Sequence, residues 1–216
     1  MVDARKQRSK INQFFLILFG LAVTVTGVQY EAATKKADRS LKLPERRKYQ
    51  HADKIDVLYD KFTNQTTVAI NYPSGMKVEN TSLDLGLLFV FKGQLLAQAV
   101  HASSKLTLMI SSKSESWEYL QFGRDLNLIV DGQRMPIGTL DRDGTVGEGY
   151  VLEFMSANIS AAQLLKLANA KSIEGKLSLT EFSLSSDQIE TIKDFASRLS
   201  GGPVDEAMDP IKPIPQ

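Results

Sequence analysis

Leu106-Thr107-Leu108-Met109-Ile110, Leu126-Asn127-Leu128-Ile129-Val130, Gln133-Arg134-Met135-Pro136-Ile137 and Tyr150-Val151-Leu152-Glu153-Phe154-Met155 are the runs on which the fold is decided. They lie between Lys105 and Asn158 and are broken by Asp131-Gly132 and Asp143-Gly144. Short β-branched and aromatic runs joined by Asp-Gly are a hairpin signal, because a type I′ turn needs positive φ at both central residues. The stretch, with Trp117-Glu118-Tyr119-Leu120 as a further strand, predicts the central meander of an antiparallel sheet.

Outward from it, the same period-2 pattern continues on the N-terminal side in Ile55–Tyr59, Thr66–Ile70 and Ser82–Phe91. On the C-terminal side the period changes. Ser160 and Gln163 have capping-box spacing and open a short helix through Ala168. Two strands are expected around Gly175, over Ser172–Leu177 and Leu179–Leu184. Asp187–Leu199 then carries Ile189, Ile192, Phe195, Ala196 and Leu199 as a single apolar stripe, and Gly201-Gly202-Pro203 stops it. The expected fold is mainly β: an antiparallel β-sandwich or open barrel of about 7–9 strands, with a short crossover helix and a C-terminal amphipathic helix. Core positions are expected at Leu87, Phe89, Leu108, Ile110, Trp117, Leu128, Val130, Val151, Phe154, Ile192 and Phe195.

The ends differ from this domain. Basic residues Arg5, Lys6, Arg8 and Lys10 precede an apolar run, Phe14–Val28. That is the pattern of a secretory signal, and counted from Ile11 to Val28, about 18 residues, the run is also just long enough for a single membrane anchor. Residues 1–30 are therefore a signal peptide or an N-terminal hydrophobic helix that contacts membrane. Residues 31–54, with eight basic groups against four acidic, form a basic tether. Its charges compete with the n-region under the positive-inside rule, but the n-region abuts the apolar run, so export is expected. The tether could also touch anionic lipid or a wall polymer. The β-rich domain is placed at 55–200 and a disordered, proline-rich tail at 201–216.

Charge and composition exclude several functions. Residues 55–216 hold 14 basic and 20 acidic groups, which is the wrong balance for a nucleic-acid-binding face. The absence of cysteine removes disulfides, thiolate metal sites and thiol nucleophiles. His51 and His101 stand alone, and no cofactor or metal motif is present. The serine-rich Ser111–Ser116 lacks a nucleophile elbow.

Candidate binding residues are Asp131, Asp141, Asp143 and Glu148, with Glu153 nearby, and the aromatic pair Trp117 and Tyr119. The carboxylates could serve acid–base hydrolysis or calcium, although Val146 and Leu152 occupy the positions where an EF-hand needs glycine and glutamate. As turn residues they need no such role. Trp117 and Tyr119, two apart on a strand, would share one face as a carbohydrate platform or as core packing.

The motifs Trp117-Glu118-Tyr119-Leu120, Asp131-Gly132 and Gly149-Tyr150-Val151-Leu152-Glu153, with Ala168–Ala170 through Glu181-Phe182, resemble a family of uncharacterised bacterial exported proteins. The resemblance covers residues 53–200 and implies a signal-plus-β-domain organisation without an assigned activity. Taken together, these features point to a non-enzymatic binding module of the bacterial cell envelope with an envelope protein or polymer as partner. A carboxylate hydrolase or calcium-dependent carbohydrate-binding domain is the alternative.

Overall fold

A computed structural model describes residues 54–70, 76–78, 81–93, 105–119, 123–199 and 212–213. All of them belong to the compact unit Ser40–Gln216. The expected hydrophobic helix at 14–28, the tether up to residue 53 and most of the tail lie outside the described residues. None of the described helices is long and apolar enough to cross a membrane.

Among the described residues the chain is mainly β, with two sheets and two helices of a full turn or more, and it is not a closed barrel. The larger sheet is built from β1 (Ile55–Asp60), β2 (Gln65–Ile70), β3 (Met76–Val78), β4 (Thr81–Lys92), β5 (Lys105–Ser114), β8 (Asp141–Gly147), β9 (Tyr150–Ser160) and β12 (Lys212–Pro213). Its order is β12-β1-β2-β4-β5-β9-β8, with β3 also on β4. The smaller sheet runs β11-β10-β6-β7, from β6 (Asp125–Val130), β7 (Gln133–Thr139), β10 (Ile173–Leu177) and β11 (Thr180–Ser183). Every pairing is antiparallel except β1 with β12. Lys212 and Pro213, expected in a disordered tail, thus cover the β1 edge opposite Leu58 and Tyr59. A proline is tolerable there because an edge strand has a side on which no N–H is required.

The central stretch is not one meander. β5 pairs directly with β9, from Lys105↔Ser160 to Ser114↔Val151, and the β6–β7 hairpin between them joins β10 in the other sheet. The predicted hairpin itself is present: Asp131 and Gly132 have φ of 49° and 78°, as a type I′ turn requires. The chain changes sheet at Leu140, the single residue between β7 and β8. Leu140 is fully buried, and its N–H donates to the Arg124 carbonyl at 3.0 Å. A register shift at Leu126/Asn127 and a positive φ at Gly138 bend the hairpin just before that crossing. Asp143-Gly144, expected to turn, lies inside β8; the reversal into β9 falls at Glu148-Gly149, where Gly149 has φ 75°.

Alternation sets what each strand buries. In β6, Leu126, Leu128 and Val130 are buried while Asp125, Asn127 and Ile129 face out. Gly175 of β10 stands opposite Phe182, whose ring occupies the space a Cβ would need. Helix α1 (Ala161–Ala168) has the predicted capping box, with Gln163 N–H on Ser160 Oγ at 3.2 Å and Ser160 N–H on Gln163 Oε1 at 2.9 Å. Helix α2 (Ser186–Arg198) repeats it with Ser185 and Gln188. Its apolar stripe, the inner residues of both sheets and α1 make one core. Phe89 only flanks that core, Trp117 is half-exposed, and Phe154 is on the opposite face of β9 from Val151 and Met155.

Candidate functional site

The inward row of β9 reads Val151, Glu153, Met155, so period-2 geometry carries a carboxylate into the core, and Glu153 is 0 % exposed. An ion held there needs partners for both oxygens. Oε2 accepts the backbone N–H groups of Glu118 and Tyr119 at 2.7 and 3.1 Å. Oε1 accepts Arg142 Nε at 3.0 Å from the neighbouring strand β8. The guanidinium also lies over the Trp117 ring, 4.4 Å from its centroid, a cation–π contact.

Trp117 in turn rests on β8 at Gly144, the register partner of Glu153. A Cβ at Gly144 would stand 2.6 Å from the indole and 2.8 Å from the Leu152 carbonyl oxygen, so only glycine fits without a shift. Trp117 and Tyr119 are therefore not two residues of a strand. Glu118 lies at a bend and Tyr119 is helical, and the amides of both are taken by a side chain instead of a sheet ladder. Tyr119 points into the core, and its hydroxyl meets Thr180 Oγ1 of β11 at 3.2 Å. Burial pushes its phenol pKa up, against the opposing hydrogen bond.

The remaining predicted residues are spread over two hairpins. Asp131 belongs to the smaller sheet, where Oδ1 accepts the N–H groups of Lys171 and Ser172 at 2.8 and 2.9 Å. Those bonds, Ser172 first, hold its carboxyl below the usual range. Asp141 and Asp143 are exposed on β8, and Glu148 is exposed at the β8–β9 turn. Asp143 Oδ1 takes the N–H of Gly144 at 2.7 Å. Among the described residues no group of three or more His, Asp or Glu side chains is arranged to hold a metal ion. What the structure brings together is Trp117 with Arg142 and Glu153. Arg142 carried no sequence signal, because nothing local announces an ion pair across two strands.

Among the described residues β8 also ends the larger sheet. Its inner side is braced by the Trp117–Arg142–Glu153 cluster; Asp141, Asp143, Thr145 and Val146 are exposed, Val146 at 66 %.

A second unusual carboxylate sits on the outward face of the same sheet. Asp84 lies opposite Ser111, on the other side of β4 from Leu83, Leu85 and Leu87. Burial raises its pKa from 3.8 to about 6. The folded protein therefore keeps Asp84 protonated to higher pH than the unfolded chain does. The stability this provides is complete below pH 3.8 and is lost as pH rises through about 6. Asp84→Asn is expected to raise the stability at pH 8 by on the order of 1–2 kcal/mol after allowance for solvent screening, read as a higher melting temperature. The advantage should vanish by pH 4; melting curves across that range, with an equal gain at both ends, would refute the assignment.

Compared with family models, curated proteins and solved structures, the chain matches none.

Proposed function

We propose that this chain is an exported or membrane-anchored envelope protein whose β domain is a non-enzymatic binding module, arranged as an open two-sheet sandwich. The observation that carries the reading is the β8 edge. An edge strand presents unpaired backbone N–H and C=O groups to any extended segment, and side-chain pockets alongside confer selectivity. Here the edge is seven residues long and exposed, and an ion pair and an indole brace it from the inner side. Asp141, Asp143 and Glu148 favour a basic segment in the partner. The basic residues before Phe14–Val28 support export.

Two measurements test this reading. A reporter active only outside the cytoplasm, fused after Leu199, should be active; activity of a cytoplasmic reporter instead would remove the export reading. A photo-cross-linking residue at Thr145 or Val146 should capture an envelope protein that the same probe at Ile129, on the smaller sheet, does not. Equal capture at both places would remove β8 as the docking edge.

A further inference from the structure

Within β8 one backbone donor is taken by a side chain. The N–H of Gly144 donates to Oδ1 of its own neighbour, Asp143, at 2.7 Å. In an antiparallel ladder a residue turns both its N–H and its C=O to one side of the strand, and the next residue turns both to the other. With its N–H on the exposed carboxylate of Asp143, Gly144 directs that pair of groups away from β9. Arg142 and Val146, two residues either way, share its direction. Among the described residues no strand lies beyond β8, so these are the groups an added strand would use.

The side chains decide what such a strand meets. Asp141, Asp143 and Thr145 form the outward row of β8, and all three are exposed. Arg142, the cation of the same strand, is committed to Glu153 at 3.0 Å and leaves that row acidic. Gly144 belongs to the inward row, where the Trp117 ring covers it. The middle of the edge is therefore bare backbone, and the Asp143 carboxylate occupies its N–H.

We infer that Asp143 guards this edge: its carboxylate holds the Gly144 N–H against neutral segments and yields it to an extended segment that brings a Lys or Arg alongside. A neutral strand can pair with Gly144 only by breaking a charge-assisted hydrogen bond and leaving the carboxylate with nothing in exchange. A basic strand draws the same carboxylate into an ion pair while its carbonyl takes the N–H. Charge on an edge strand is a common defence against indiscriminate pairing, and here the defence doubles as the selector. The inference rests on the docking role proposed for β8 and deepens it, by naming the residue that selects the partner and the side chain it selects.

The test uses full-length protein in mild detergent and a fluorophore-labelled synthetic peptide as long as β8, alternating Lys and Val. A second peptide carries Gln in place of Lys, and a third is the Lys peptide N-methylated at alternate amides, which cannot extend a ladder. Anisotropy reads affinity, and amide hydrogen exchange across Asp141–Gly147 reads use of the edge. The parent should protect β8 with the Lys peptide and prefer it to the Gln peptide by about tenfold, the size of one charge-assisted hydrogen bond. Asp143→Ala should bind the Gln peptide severalfold more tightly than the parent does, a gain that simple charge attraction would not produce. Asp143→Asn keeps an acceptor for Gly144 without the charge, and should bind both peptides weakly. If the Lys peptide protects β8 but Asp143→Ala leaves the Gln peptide as weak as before, the guard is overturned and the docking edge stands. If no peptide protects β8 in parent or variants, or the N-methylated peptide binds as well as the Lys peptide, the docking edge falls and the guard with it.

Discussion

Phe195→Ala is expected to lower the stability of the domain by about 3–5 kcal/mol, the range for truncating a fully buried aromatic ring. Phe195 is 0 % exposed and lies in the α2 stripe, within the core shared with both sheets and α1. The ring removed leaves a cavity that neither sheet can close, since both are held by long ladders on either side. For a domain of this size the melting temperature should fall by roughly 10 °C. Ile129→Ala, at an outward position of β6, is the control and should stay within about 0.5 kcal/mol of the parent. Thermal melts of the two variants make the comparison, and an unchanged melting temperature for Phe195→Ala would mean that α2 is peripheral to the fold.

The stripe that places Phe195 was readable because a 3.6-residue period is a local property, as are the capping box at Ser160 and the Asp131-Gly132 turn. The strands of the central stretch were readable for the same reason. Their partners were not. Nothing in Leu126–Val130 says that its neighbour is Ile173–Leu177, more than 40 residues on, or that Lys105–Ser114 skips the intervening hairpin to reach β9. Pairing is a choice among strands of similar pattern, settled by how both sheets close over one core. β8 was missed as a strand because Asp143-Gly144 has turn chemistry, yet the glycine is there to admit the Trp117 ring.

The same cluster explains the errors at Trp117, Tyr119 and Phe154. Apolar content invites Phe154 into the core and Glu153 out of it, but the ladder fixes the phase of β9 and carries Glu153 inward. Once a carboxylate is inside, it recruits the amides of Glu118 and Tyr119, and their segment leaves the sheet. The aromatic pair that looked like one face of a strand becomes an indole on β8 and a phenol in the core. A single buried charge therefore accounts for three misread residues, and it lay among acidic positions whose neighbours are turn residues.

Glu153→Ala should accordingly be the most damaging change in the larger sheet. It strands the Arg142 guanidinium, only 14 % exposed, and leaves the two amides that Oε2 accepts without an acceptor. Breaking one partner of a buried pair costs about 3–5 kcal/mol, mostly because the other charge is left uncompensated. The double replacement Glu153→Leu with Arg142→Met should behave differently. It removes both charges, and with them the burden of Arg142 Nη2, which has no hydrogen-bond partner among the described residues although it is buried. The amides of Glu118 and Tyr119 still lose their acceptor, so the double variant should recover part of the loss and remain less stable than the parent by about 1–3 kcal/mol. Urea unfolding of the parent, Glu153→Leu, Arg142→Met and the double variant gives the coupling between the two residues directly. If the effects of the two single changes simply add, Arg142 and Glu153 do not act as a pair, and the brace beneath the β8 edge loses its physical basis.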